Sequence, residues 1–346
     1  MSLTPKEIPT GAVRFNTDRN NMEVYIGSTW MEVSVSSPNL GDTQSPAGAR
    51  GLFFGGRESP SPGTVLNTID YVTISSAGNA IDFGDLDSVR RASATYGDRT
   101  RGLTAGGINS PTGGDTTAID FVTFSSTGDS TDFGALSVSR SWLAGVNNAT
   151  RGIAGGAWSP SRSNVMDYVT IQSTGNAVDF GDLTEAQQTD GSFCSPIRGF
   201  WVGGAAGPGP AYQATTTGTR IECITMATLG NAFVFGDLLN GTFGKVGASN
   251  SIRGLAGGGN PSIVALEKIT MATLGNATNF GDLVNAHYYG AGGVSDPTRA
   301  LFGGGYPNTN VISYVQIMTE GDALDFGDLT VTRHILSGMS NANGGL

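Results

Sequence analysis

The chain has 346 residues, 53 of them glycine, with a charged fraction of 14% and a formal net charge of −10. That acidic balance excludes the cationic stripe that phosphate-backbone binding requires, so nucleic acid is not an expected partner. No run of 18 apolar residues occurs, and the first 30 residues lack a basic stretch followed by an apolar core, so neither membrane insertion nor a secretory signal peptide is expected. Apolar residues show no helical period anywhere, which makes the expected class all-β.

The first element lies within residues 11–33. Two alternating runs, 12–16 and 22–26, flank Thr17-Asp18-Arg19-Asn20-Asn21, a β-hairpin by composition. An isolated hairpin is marginal in water, so Phe15, Tyr25 and Trp30 are expected to need a further surface. We read 1–36 as an arm and 37–49 as a linker. Gly11, Val13, Arg14, Phe15, Asn16 and Thr17, followed by Glu23, Tyr25, Gly27 and Trp30, resemble a short module of tailed-phage virion proteins. The resemblance implies that the arm attaches the chain to a particle, with Phe15, Tyr25 and Trp30 as its attachment residues.

From Arg50 onward one phrase returns six times: an opening Arg-Gly, a Gly-Gly pair, a short apolar run, then Phe-Gly-Asp-Leu, broken only at Gly134-Ala135-Leu136. The openings are Arg50, Arg101, Arg151, Arg198, Arg253 and Arg299 (the last followed by alanine). The phenylalanines are Phe83, Phe133, Phe180, Phe235, Phe280 and Phe326, spaced by 50, 47, 55, 45 and 46 residues. In the third repeat, 151–156 reads as a strand ending in glycines, 166–171 as an alternating strand, Thr174-Gly175-Asn176-Ala177 as a turn, and 178–181 as a further strand. The same Gly-Asn or Gly-Asp turn stands in every repeat.

A period near 50 with Gly-Gly after an apolar strand is similar to the kelch repeat. The resemblance implies a six-bladed kelch-like β-propeller over 50–346, with inner strands at 91–98, 140–147, 187–195, 241–249, 287–294 and 333–341. The first blade then takes its inner strand from 333–341, with 40–49 as the competing source. Phenylalanine stands where kelch repeats carry tryptophan in the outermost strand. The phrases at 167–171 and 174–183 also resemble virion structural proteins of cyanophages and related marine phages.

Little in the chain points to catalysis. His287 and His334 are the only histidines, without nearby cysteine or carboxylate spacing for a metal site, and are read as packing or channel lining. Cys194 and Cys223 fall on the inner and third strands of one blade, two strand spacings of about 4.8 Å apart and too far for a disulfide. Sialidase-type boxes are missing, and so is a ligand set for a copper oxidase. The repeated Asp of Phe-Gly-Asp-Leu is read as a turn residue bonding its own backbone. No enzyme, cofactor or metal is expected, with a glycan-processing propeller as the alternative.

The loops after Gly-Gly, at 57–67, 108–118, 157–164, 205–219, 260–264 and 306–310, differ in every repeat. Variation on an unvarying scaffold is how such a face acquires recognition. Trp158, Arg162, Tyr212, Gln213, Tyr306 and Asn308 are the candidate binding residues, with Asn109 beside them, in a mixture suited to sugar rings or a polar protein surface. The expected role is a phage virion structural protein of appendage or fibre type. Its expected partners are other virion proteins (tail, neck or capsid), with a host-surface glycan or protein as the candidate ligand of the loops. Capsid or tail decoration is the rival role, and a homo-oligomer is compatible with either.

Overall fold

The computed structural model describes residues 8–16, 21–26, 28–32, 49–58, 63–109, 113–158, 161–189, 191–206, 216–286, 290–307 and 309–346. The chain forms two compact units, Met1–Thr43 and Gln44–Leu346.

In the first unit the expected hairpin is a three-stranded antiparallel sheet, Val13–Asn16, Asn21–Ile26 and Thr29–Glu32, with the second strand central. The added strand places Trp30 opposite Tyr25, ring centroids 5.2 Å apart, with the Arg14 guanidinium 4.2 Å from the Trp30 ring centroid. Glu23 joins the same network, paired with Arg14 at 2.7 Å and accepting from Asn16 Nδ2 at 2.8 Å. Tyr25 is buried, whereas Phe15 is 53% exposed.

The second unit is all-β, and its four-stranded antiparallel sheets are consistent with a propeller-like fold. Six sheets of four or more strands occur among the described residues. The first combines Ser337–Ser340, Arg50–Phe54, Thr68–Thr73 and Ile81–Asp85. The second runs Ala94–Gly97, Arg101–Ala105, Ala118–Thr123 and Thr131–Ala135. The third is Ala144–Asn147, Arg151–Ala157, Ser163–Thr170 and Val178–Gln188, to which Ala205–Ala206 adds a fifth strand. The fourth holds Gly191–Cys194, Arg198–Val202, Arg220–Thr225 and Phe233–Asp237. The fifth is Val246–Ser249, Arg253–Gly257, Ala265–Thr270 and Thr278–Asp282, and the sixth Gly292–Ser295, Arg299–Gly303, Val311–Gln316 and Leu324–Asp328. Ser337–Ser340 pairs with 51–54, and Arg333–His334 forms a short ladder with Arg57–Glu58.

The repeated residues earn their places between sheets. Each opening arginine donates from Nη1 to a carbonyl of the next sheet: Arg50 to Phe124, Arg101 to Ile171, Arg151 to Met226, Arg198 to Met271, Arg253 to Ile317 and Arg299 to Ile74. The glycine after it leaves room for a side chain of the preceding sheet. A Cβ at Gly152 would lie 2.1 Å from Tyr96, and one at Gly254 2.2 Å from Phe193. In the single Arg-Ala opening, Ala300 shares its apolar cluster with the small Ala248.

Phe-Gly-Asp is a β-bulge. Ile69 pairs with Gly84 and Asp70 with Asp82, so Phe83 is the extra residue, and the same irregularity recurs in all six sheets. The bulge turns each phenylalanine into the gap between its own sheet and the next. There the turn of the following repeat docks on it: Gly128 N–H donates to Phe83 O at 2.8 Å and Asp129 Oδ1 accepts from Asp85 N–H at 2.9 Å. Equivalent bonds continue through the series, and the last joins Gly78 N–H to Phe326 O at 2.8 Å. The repeated aspartate therefore acts through its amide and carbonyl, which the neighbouring turn engages. This replaces the expected carboxylate bond to its own backbone as the recurring contact.

The core follows the same plan. Each of six apolar clusters joins one sheet to the next, and one of them unites sixth-sheet Leu301, Ile312 and Phe326 with first-sheet Phe53, Val72 and Ile74.

Candidate functional site

Beside the loops, an acidic residue on the third strand of five sheets is buried against the connection that follows an outer strand, and the sixth sheet has Ser313 there. Asp70 accepts from Thr330 N–H and Oγ1–H and pairs with Arg333 at 2.9 Å; Asp167 likewise holds Ser137 and pairs with Arg140 at 3.1 Å. Arg90–Asp120 at 2.7 Å and Lys245–Glu267 at 3.4 Å repeat the arrangement, and in the fourth sheet Gln187 donates to Glu222 at 3.0 Å. Burial lowers the pKa of Arg90, Arg140, Arg333 and Lys245 and raises that of Asp120 and Glu222. Each of these side chains is bound into the scaffold at the base of the loops.

The first strands of the six sheets contact one another around a narrow central pocket of about 60 Å³. Their second residues are Thr95, Gly145, Ser192, Gly247, Gly293 and Gly338, all of which line it. The backbones are so close that a Cβ at Gly247 or Gly293 would sit 2.1 Å from a neighbouring carbonyl oxygen. Such a passage has room for water at most. Asn343 projects into one end, bonding Asn147 and Ser295.

Two residues before each of these strands the backbone takes a left-handed conformation in five of the repeats: Ala92 (φ 55°), Trp142 (φ 58°), Gly244 (φ 74°), Gly290 (φ 59°) and Ile335 (φ 55°). Inner strands consequently begin later than expected, for example at Ala94 and not residue 91. A bulky side chain held at positive φ is strained, and strain of this kind collects at functional positions. Trp142 lines the pocket mouth half-buried. The Trp158 amide donates to Ser141 O at 2.9 Å, which brings Trp158 beside it, and Arg162 lies 4.9 Å over the Trp158 ring.

Across the face, Tyr306 packs edge-on against His334, centroids 5.5 Å apart. His334 is buried in the short ladder opposite Arg57 and is absent from the pocket lining, so it packs without lining the passage. Burial, reinforced by Arg57 and Arg91, pushes its pKa down to about 4. Of the expected binding residues, Trp158 and Arg162 are thus in contact and Tyr306 stands apart with His334. Tyr212, Gln213, Asn308 and His287 lie outside the described residues. Trp142 was not anticipated, although glycine at the same place in two other repeats, Gly244 and Gly290, was a signal of the conformation.

Cys194 and Cys223 are separate buried thiols on the first and third strands of the fourth sheet, each pushed up to about 12 by burial. Neither thiol is primed as a nucleophile. Among the described residues no three His, Cys, Asp or Glu side chains gather as metal ligands. No protein-family model matches this chain, and no curated protein is similar enough to it to be counted a relative.

Proposed function

We propose that residues 50–346 close into a six-bladed, kelch-like β-propeller, and that the chain is a structural protein of a tailed-phage virion. On this reading it is an appendage or fibre-type propeller, fixed to the particle by its N-terminal arm, with its variable loops turned toward the host surface. The closed ring is supported by arginine bonds, turn-to-bulge bonds and apolar clusters that each run from sheet to sheet and return from the sixth to the first. The observation that carries the functional reading is a division of labour. Residues common to the repeats are consumed in contacts between sheets, while the loop mouths differ in every repeat and hold Trp142, Trp158, Arg162 and Tyr306. A surface that varies while its scaffold does not is suited to binding.

The assignment to a virion rests on the module at 11–30. Its matched residues Arg14, Glu23, Tyr25 and Trp30 form one contact network, which supports the motif as a folded unit. Antibody labelling of intact particles should place the chain on tail, neck or capsid. Deleting 1–36 should leave a folded propeller that no longer joins the particle, and continued incorporation would refute the arm's role. Purified protein should bind host cells, with Trp158→Ala and Arg162→Ala cutting attachment at unchanged melting temperature. If attachment is unaffected, a decoration role without host contact remains.

A further inference from the structure

We propose that residues 342–346 are a plug, which seals the central passage at the end away from the variable loops and holds the strand Ser337–Ser340 in the first sheet. That strand has little to hold it by itself. It is four residues long, two serines and a glycine around Met339, and its ladder partner is Gly51–Phe54, from the opposite end of the second unit. Strands so short and polar are weakly held by pairing alone. The first strands run from the loop mouths, at Trp142 in the third sheet, to this far end, at Asn147.

There the last residues of successive first strands are linked through their side chains. Ser340 Oγ–H donates to Ser295 O, Ser295 Oγ–H to Ser249 O at 2.7 Å, and Ser249 Oγ–H to Cys194 O at 2.7 Å. The segment 342–346 sits on this series and packs on the first strands of the fourth, fifth and sixth sheets. Asn343 Nδ2–H donates to Asn147 Oδ1 at 3.2 Å, and Asn343 Oδ1 lies 3.2 Å from Ser295 Oγ, so one side chain spans the third and sixth sheets. Two left-handed glycines, Gly344 (φ 66°) and Gly345 (φ 81°), turn the backbone in against the strand ends. A Cβ on Gly344 would lie 2.6 Å from Cys194 Sγ and 2.8 Å from Cys194 O, and one on Gly345 2.8 Å from Ser251 N. Ala342 and Leu346 are buried at either side of them. Withdrawal of the segment would take away the contacts that follow Ser340 and uncover the Cys194 thiol, which lies 3.7 Å from Asn343 Nδ2. Burial pushes that thiol up to about 12, and contact with water would return it toward the range in which thiols react.

Maleimide labelling of the native full chain, assigned to each cysteine by peptide mass spectrometry, tests the plug. Cys223, a second buried thiol on the third strand of the same sheet, is the internal reference. Gly344→Ala should expel the segment and speed labelling of Cys194 roughly tenfold or more, with Cys223 as slow as in the wild type. Amide exchange at 337–340 should quicken in the same variant. Should it fail to fold, Asn343→Ala removes the side-chain bonds alone and should give the same contrast on a smaller scale. Unchanged labelling of Cys194 overturns the proposal, and so does equal acceleration of both thiols, which would mean that the segment only stabilises the fourth sheet. Faster labelling of Cys194 without faster exchange at 337–340 would show a cover that does not hold the strand, and would overturn the lock. The outcome is independent of what the loops bind and of the virion assignment.

Discussion

A methyl group added at Gly134 and one added at Gly175 probe a single contact from its two sides. Both glycines have positive φ, 152° and 155°, but a Cβ at Gly134 would lie 2.3 Å from Gly175 O, while one at Gly175 meets nothing within 4 Å. Gly134→Ala should therefore cost about 3 kcal/mol or more and Gly175→Ala about 1 kcal/mol, read as shifts in urea midpoint at constant slope. Equal costs would mean that the bulge and turn do not touch. His334 offers a second test at this scale. Its folded pKa, about 4, lies below its ordinary 6.5, so the fold holds it neutral, and the stability this adds is full above about pH 6.5 and lost as pH falls toward 4. His334→Gln should reduce the loss of stability between pH 7 and pH 4.5 by on the order of 2 kcal/mol, allowing for solvent screening. Parallel melting-temperature losses in both proteins would reject the assignment. The sequence displays the repetition of both glycines openly. That one is needed for space and the other for conformation emerges only when two repeats are brought into contact.

At the scale of strands and turns, the buried ion pairs are the feature the sequence concealed. Asp70, Asp120, Asp167, Glu222 and Glu267 occupy one register position, adjacent to the bulge. In an alternating strand such residues read as the solvent side. The cations paired with Asp70, Asp120, Asp167 and Glu267 lie on the connection after an outer strand, 27 residues before Asp167 in the case of Arg140, a separation no local pattern announces. Removing one partner leaves a buried charge alone, so Arg140→Met or Asp167→Leu should each destabilise by about 3–5 kcal/mol, whereas the double replacement should recover most of the loss. Additive losses in denaturant unfolding would show that the pair is not coupled. The arm gives a smaller example of the same limit. Thr29–Glu32 is too short to display alternation by itself, and its pairing with the central strand is what creates the Tyr25–Trp30 contact.

Across the whole molecule the pairing of 337–340 with 51–54, narrower than the expected 333–341 with 51–56, was readable, since it follows from a phrase that recurs six times. The central passage was not, because the small residues that narrow it are scattered among unrelated triplets. Met339 tests how far the sheets act as one body. It is 1% exposed and packs with Leu52, Phe54, Phe83 and Phe124, a group drawn from the first and second sheets. Met339→Ala should cost about 2–4 kcal/mol. In a closed ring that loss should accelerate amide exchange in the fourth and fifth sheets as much as in the first. Acceleration confined to the first two sheets would indicate sheets that open independently.

Arg50 N–H is bonded to Asn341 Oδ1, a partner 291 residues away, and that distance sets a timetable. A ribosome adding about 5–20 residues per second needs roughly 15–60 seconds to travel from the second strand of the first sheet to its partner. For that interval 50–54 has one edge without its native neighbour, and Leu52, Phe53 and Phe54 wait for the cover that burial later gives them. Two chains on one message would then hold identical open edges close together, the condition in which a late strand can be captured by the wrong copy. Slower expression at low temperature, or a chaperone able to hold the early sheets apart, should raise the yield of protein in which 337–340 pairs with 51–54 of its own chain.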